Sequence, residues 1–347
     1  MLSVCIITKN EEKKLRQCLE QLQPYPFEIV VVDTGSTDNS VKTAMEFTEK
    51  VFFYPWNHDF SAARNFAAQK ASWDMIFTID SDEYLESIDV TAVLKIVTEH
   101  SDEVGRIWVK NKMNFSEEMM NRELISRIYS RKRFCYSGRI HEQLISLSGE
   151  EAKTYQLPLS ILHDGYSGTK EEKYSKMQRN RMLIEMELQE KGEDPYLLYQ
   201  AGKSCFLAGD FQGAADFFAD ALAYDLDTKL EYVIDLVESY GYALLNSGHA
   251  KEALSFLNIA DTFGNTADFR CLLGLILMNN EMFDDAILEF IRATQNSTYR
   301  VEGTNSYLAF YNAGVIEECR GNIEKAIIYY DRCKTYTKAK ERLAAIR

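Results

Sequence analysis

Three short runs of almost uninterrupted apolar residues constrain this chain more than any other feature. They are Ser3-Val4-Cys5-Ile6-Ile7-Thr8, Glu28-Ile29-Val30-Val31-Val32-Asp33 and Met75-Ile76-Phe77-Thr78-Ile79-Asp80, and each ends on a hydroxyl or a carboxylate. Apolar runs of this length, without polar alternation, read as strands covered on both faces. The first reads as a strand from Leu2 to Thr8. Between the runs, Asn10 to Leu22 sets Leu15, Leu19 and Leu22 on one helical face, and Val41 to Thr48 and Ser61 to Ala71 also read as helix. Val51 to Tyr54 reads as an edge strand. This rhythm predicts an α/β fold, a mostly parallel sheet with helices on both faces. Such sheets bind ligands beyond the carboxyl ends of their strands. Thr8, Asp33 and Asp80 therefore mark the expected site.

Residues 105–165 have a different texture. Ile107 to Val109, Ser126 to Tyr129 and Leu157 to Leu162 read as strands between polar loops, an antiparallel addition to the sheet. From about Lys170 the pattern is helical to the end. There a Gly, a Gly or Glu, and an Ala recur in register: Gly202/Gly209/Ala214, Gly241/Gly248/Ala253, Gly274/Glu281/Ala286 and Gly314/Gly321/Ala326. Small residues at fixed offsets let paired helices approach closely, and stacked pairs make a solenoid. The repeats resemble tetratricopeptide repeats with irregular first and third connections. The expected division is an α/β domain over residues 1–188 and an all-α repeat domain over 189–347.

The sharpest chemical motif is Asp80-Ser81-Asp82-Glu83 at a strand end. Paired carboxylates there suit a hard divalent cation that completes its shell with phosphate oxygens; the bland alternative is a solvated acidic turn. Asp33, followed by Thr34-Gly35-Ser36-Thr37-Asp38, reads alone as a turn former. Asn10 or Glu11 reads as a helix cap, and so does Asp59 or Ser61. Together, SVCIITKNEE, EIVVVDTGSTDNS, DFSAARNFA and IFTIDSDEYL resemble glycosyltransferase family 2, whose catalytic domain has the GT-A fold, over about the first 90 residues. The resemblance implies a nucleotide-diphosphate sugar as donor, with Mn²⁺ or Mg²⁺. It implies that Thr8, Asn10, Glu11 and Asp33 surround the base and ribose, and that Asp80 lies near the ribose or diphosphate. Asp82 would be the principal metal ligand, and Arg64 would act through Asp33 or the nucleotide. A late histidine completes the metal site in many GT-A enzymes, so His163 is the candidate third ligand. Arg131 and Arg133 are candidates for the diphosphate, or else part of a solvated charge run.

Ser137-Gly138-Arg139-Ile140-His141-Glu142-Gln143 resembles a segment of the subgroup that carries C-terminal helical repeats. Family members generally invert at the anomeric carbon, and a carboxylate takes the acceptor proton. The usual late acidic pair is missing here, so Glu142 is the first candidate base and Asp164 the second, with His141 orienting one of them. Members fused to such repeats resemble the bacteriocin peptide S/O-glycosyltransferases, which implies a peptide or protein Cys or Ser side chain as acceptor. A polysaccharide or glycolipid acceptor is the alternative, with the repeats used for self-association as a homodimer. A formal net charge of −14 argues against nucleic acid as a partner. No apolar run is long enough to span a membrane. The seven cysteines form no CxxC pair and read as buried thiols of a reducing, cytoplasmic protein.

Overall fold

The computed structural model describes residues 1–112, 120–163, 170–192 and 194–347. The chain divides into two compact units, Met1–Glu187 and Leu188–Arg347.

In the first unit the strands are β1 (Leu2–Thr8), β2 (Glu28–Asp33), β3 (Val51–Phe53), β4 (Met75–Thr78), β5 (Glu83–Ile88), β6 (Val104–Lys112), β7 (Met120–Ser130), β8 (Phe134–Ser137), β9 (Gln143–Ser146) and β10 (Thr154–His163). The helices are α1 (Glu12–Leu22), α2 (Ser40–Met45), α3 (Phe60–Lys70), α4 (Val90–Glu99) and α5 (Lys170–Lys191). Eight strands form one sheet in the order β3-β2-β1-β4-β7-β6-β10-β5, while β8 and β9 pair separately. The first four are parallel, as the apolar runs predict. β7 runs antiparallel to both β4 and β6. β10 is not the antiparallel addition expected throughout this region. It lies parallel to β6 and antiparallel to β5, because β7 has already turned β6 back into the direction of β4.

Alternate residues of β1 feed opposite cores. Leu2, Val4 and Ile6 pack with Leu15, Leu19, Val93 and Phe77 toward α1 and α4. Cys5 packs with Val30, Val32 and Ile76 toward Ala67 and Ala68 of α3 and Tyr136 of β8. The chain leaves β1 for β2 on one side and returns to place β4 on the other. Such a reversal of strand order is where α/β sheets open a ligand-binding crevice, at the carboxyl ends.

The second unit stacks helix pairs: α6 (Pro195–Ala208) with α7 (Phe211–Leu222), α10 (Ala267–Asn279) with α11 (Phe283–Gln295), and α12 (Tyr307–Cys319) with α13 (Ile323–Arg332), ending in α14 (Thr337–Ile346). In the second repeat α8 (Glu231–Asn246) is followed by a 3₁₀ helix (Glu252–Ile259) and the short α9 (Ala260–Phe263). The first glycine of three sets takes an aromatic ring, while Gly241 of the second is closed first by Leu272. A Cβ on Gly274 would lie 2.5 Å from Phe290, and one on Gly314 would lie 2.6 Å from Tyr330. The alanine of each set is wholly buried. The third connection, irregular as expected, is held by Asp268, which accepts from the N–H of Arg300 at 2.8 Å and of Val301 at 2.9 Å.

The middle position of each set is the left-handed residue that ends the first helix. Gly209, Gly248 and Gly321 have φ of 82°, 86° and 78°, and Glu281 takes the same role at 62°. A side chain there is strained. Glu281→Gly is therefore expected to stabilise the full chain by about 0.5–1 kcal/mol, part of the strain relief being offset by unfolded-state entropy. Urea unfolding checks it, and a loss of stability would refute the account of the repeat.

Candidate active site

The rim of the first unit is built from backbone turns outward. β1 and β2 run in register, with Thr8 opposite Asp33, and Thr34 donates its N–H to the Thr8 carbonyl at 2.9 Å. Asp33 then accepts from the N–H of Gly35 at 3.0 Å and of Ser36 at 3.1 Å, with Gly35 at φ 107° to allow the reversal. Asn10 sits at φ 56°, a conformation Asn tolerates, and its Oδ1 accepts from Thr37 N–H at 2.7 Å. Neither Asn10 nor Glu11 caps α1. Asp38 accepts from Glu12 N–H at 3.2 Å instead, and Ser40 Oγ accepts from Glu11 N–H at 2.9 Å. The two loops are thus sewn into one wall. In it the Thr8 hydroxyl is buried with no hydrogen-bond partner among the described residues. Of the two candidate caps of α3, Asp59 does the work, accepting from Ala62 N–H at 2.9 Å.

β4 ends at Thr78, two residues before the strand end read from sequence, and Asp80 to Glu83 form a tight turn. Asp80 N–H donates to Glu83 Oε2 at 2.8 Å, and Glu83 N–H to the Asp80 carbonyl at 3.0 Å. Two buried arginines balance these carboxylates. Arg64 of α3, 7% exposed, reaches Asp80 Oδ1 with Nη1 at 2.8 Å and pairs through Nε with Glu142. It also lies 5.5 Å from the Tyr136 ring centroid. Arg127 of β7 pairs with Glu83 and stands 3.6 Å from Asp80 Oδ2. Burial alone would raise the Asp80 pKa, but Arg64 and Arg127 together hold it well below the usual carboxylate range. Glu83 shifts up, because burial outweighs Arg127.

Arg64 was expected to act through Asp33 or the nucleotide; its partners are Asp80 and Glu142. Arg131 and Arg133 correct a second expectation. Arg131 Nη1 donates to the carbonyls of Ala68 at 2.8 Å and Ala71 at 2.7 Å, closing the carboxyl end of α3, and its Nη2 lies 3.4 Å from Asp74. Asp74 is at the amino end of β4, about 20 Å of extended chain from Asp80. Arg133 pairs with Asp102 in solvent at 2.8 Å. The basic stretch serves the rim through Arg127, which was not singled out.

Asp82, 9% exposed, faces His163 at the end of β10, with Oδ2 and Nε2 3.6 Å apart. His163 Nδ1 and Asn111 Oδ1 are 2.8 Å apart, so Nδ1–H donates to the amide and Nε2 is left toward the carboxylate. Burial pushes the imidazole toward neutrality, yet Asp82, Glu83 and Asp80 leave its pKa above the ordinary value. This oxygen and nitrogen fit Mn²⁺ or Mg²⁺ that keeps few protein ligands. Among the described residues no group of three or more His, Cys, Asp and Glu is arranged to hold an ion. Asp80, committed to two guanidinium groups, is not set up as a ligand.

Glu142 arrives from the two-stranded hairpin, whose tip is Gly138 to Glu142. Its anchors are Phe60 N–H to the Arg139 carbonyl at 2.8 Å, Arg139 N–H to Glu187 at 2.9 Å, and a reciprocal pair between Asn65 and the Tyr136 backbone, both at 2.9 Å. His141 adopts φ 51° there, and burial, against the pull of Glu187, pushes its pKa down to about 4. Asp164, the second candidate base, lies outside the described residues.

Comparison with known proteins places this unit among the glycosyltransferases. Residues 3–175 match the family model Glycosyl transferase family 2, and this part of the chain belongs to that family. The chain is 24% identical over 314 residues to the SPbeta prophage-derived glycosyltransferase SunS of Bacillus subtilis, covering 84% of this chain and 72% of that protein. It is 26% identical over 230 residues to a TPR repeat-containing protein of Synechococcus elongatus, covering 64% of this chain and 56% of its relative. Among solved structures, YrrB, a TPR protein with an unusual peptide-binding site, superposes on 50% of the chain and 86% of its own at 22% identity and a TM-score of 0.41.

Proposed function

We propose that the chain moves a sugar from a nucleoside-diphosphate sugar, UDP-linked in the first instance, to a Cys or Ser side chain of a peptide or protein. The observation that carries the reading is the convergence of Asp82 and His163 on the rim that Thr8 and Asp33 close from the other side. Asp82 and His163 would hold Mn²⁺ or Mg²⁺, which when bound neutralises charge on the departing diphosphate. Thr8, Asn10, Glu11 and Asp33 form the wall for base and ribose, where the buried Thr8 hydroxyl still lacks a partner among the described residues. Arg64 and Arg127 keep Asp80 ionised.

In the transfer, the acceptor sulfur or oxygen bonds to the anomeric carbon as the carbon–oxygen bond to the diphosphate breaks, with inversion. The acceptor proton passes to a carboxylate. Glu142 is first in line, since Arg64 engages its Oε1 and leaves Oε2 for the acceptor. Asp164 is second. His141, neutral at pH 7 because burial disfavours its charge, is suited to accept a hydrogen bond that orients the acceptor. A thiol needs less help than a hydroxyl, being partly ionised near neutral pH. The helical repeats supply a surface on which a peptide is held.

A panel of nucleotide sugars with and without Mn²⁺, read by thermal shift, tests the donor. The true donor at a hundred times its Kd is expected to add about 2.7 kcal/mol of stability. Mass spectrometry of Cys- and Ser-containing peptides and of oligosaccharides, incubated with that donor, tests the acceptor. Sugar found only on oligosaccharides would replace the peptide reading with the glycan one.

A further inference from the structure

Arg179 lies on α5, past the last of the family motifs, and no part of the reading above uses it. Its guanidinium stands 5.2 Å from the ring centroid of Phe60, the first residue of α3. Phe60 is packed edge-on against Trp56, with centroids 4.8 Å apart, and its N–H holds the Arg139 carbonyl of the hairpin tip. The ring that seats Arg179 is therefore fixed by the same contacts that fix the Glu142 loop. Two carboxylates act on its charge, those of Asp82 and Glu11. These sit at the carboxyl ends of β4 and β1, on either side of the crevice. The surrounding protein, by crowding the cation, outweighs those carboxylates and lowers the pKa below the ordinary arginine value. The group nevertheless stays charged at any physiological pH.

What separates Arg179 from Arg64 and Arg127 is its partners. Those two are spent on Asp80, Glu83 and Glu142. Arg179 donates from Nη2 at 3.0 Å and Nε at 3.3 Å to the Asn180 amide oxygen, and among the described residues it has no ion pair. The residue as a whole is exposed, although protein crowds its charged group. With Nε and Nη2 on the Asn180 amide, no carboxylate pairs with the guanidinium among the described residues, and Nη1 is left to donate to a phosphate oxygen.

We propose that Arg179 binds the diphosphate of the donor and of the leaving nucleotide, closing the crevice from α5. This rests on the nucleoside-diphosphate reading of the same rim. The arginine supplies charge that Asp82 and His163 do not, and it stabilises the group that departs.

Calorimetric titration of the full chain with UDP and with UMP in Mn²⁺, for wild type, Arg179→Ala and Arg179→Lys, tests it. Arg179→Ala is expected to weaken UDP about tenfold and UMP less than threefold. Arg179→Lys falls between, since a point charge replaces a fork. Undiminished UDP affinity in Arg179→Ala, or equal losses for UDP and UMP, would overturn the assignment and leave the proposed function standing. If the wild type binds none of UDP, GDP, CDP and dTDP, that function itself fails and takes this inference with it.

Discussion

Asp82→Ala is expected to reduce sugar transfer by about 10³-fold at saturating donor and metal, and Asp82→Asn nearly as much. The metal's stabilisation of developing charge is worth several kcal/mol, and each 1.36 kcal/mol is a factor of ten in rate. On the proposed reading Asp82 and His163 hold it, so removing the carboxylate would leave a single imidazole nitrogen. Asn keeps the shape but not the charge. Release of nucleoside diphosphate against a Mn²⁺ titration is the measurement, with circular dichroism as a check on the fold. Chelation of the metal from wild type should produce a loss of similar size. Retention of more than a tenth of wild-type activity by Asp82→Ala would remove Asp82 from the metal site.

The second large effect is on stability. Arg64→Ala should cost about 3–5 kcal/mol, because deleting one member of a buried ion cluster strands the charges it balanced. Asp80 and Glu142 would both lose their guanidinium, and the Tyr136 ring its cation. Arg64→Lys should recover little, since Nε and Nη1 serve different carboxylates and an ammonium cannot span them. The pH dependence follows from Asp80, whose ordinary pKa of 3.8 is depressed on folding by Arg64 and Arg127 against the opposing effect of burial. A depressed carboxyl pKa contributes stability that is fully present above about pH 4 and disappears as pH falls toward the folded value. The Arg64→Ala deficit measured by urea unfolding should therefore be largest at pH 7 and shrink below pH 4. A deficit under 1 kcal/mol at pH 7 would show that the cluster is solvated.

Reading the chain ahead of its structure succeeds where one physical term dominates. The parallel strands are uninterrupted apolar runs, and burial on both faces leaves them no other form. Thr8 and Asp33 follow, because a strand that abruptly turns polar must end at the rim; Asp80 stands two residues beyond the end of β4. The repeats are legible for a related reason. Three of the four glycines lie where an aromatic ring of the partner helix sits, as with Gly274 under Phe290. Reading fails where partner choice is non-local. β5 begins with the acidic turn itself, so its strand character is masked by Glu83, whose carboxylate is turned inward to Arg127. In the stretch from Arg127 to Arg133 the basic residues look equivalent, and period-two geometry decides among them. Arg127, Tyr129 and Arg131 share one strand direction, yet only Arg127 lies far enough along β7 to meet Asp80. Arg131 faces the start of β4 and closes α3 instead. The parallel pairing of β10 with β6 has no local signature at all, being set by which edge β7 left open.

The contacts that seat the β8–β9 hairpin also bear on how this enzyme can be altered. Among the described residues the hairpin shares no ladder hydrogen bonds with the eight-stranded sheet. Three side chains seat it, besides the Phe60 N–H: Arg64 takes Glu142 at its tip, the Asn65 amide both gives to and receives from the Tyr136 backbone, and Glu187 of α5 accepts from Arg139 N–H. An amide is needed at position 65, because a carboxylate lacks the donor and an alkyl group lacks both. Residues 134–146 and positions 64, 65 and 187 therefore form a single graftable cassette. Exchanging the loop for one from another transferase requires moving those three helix residues with it.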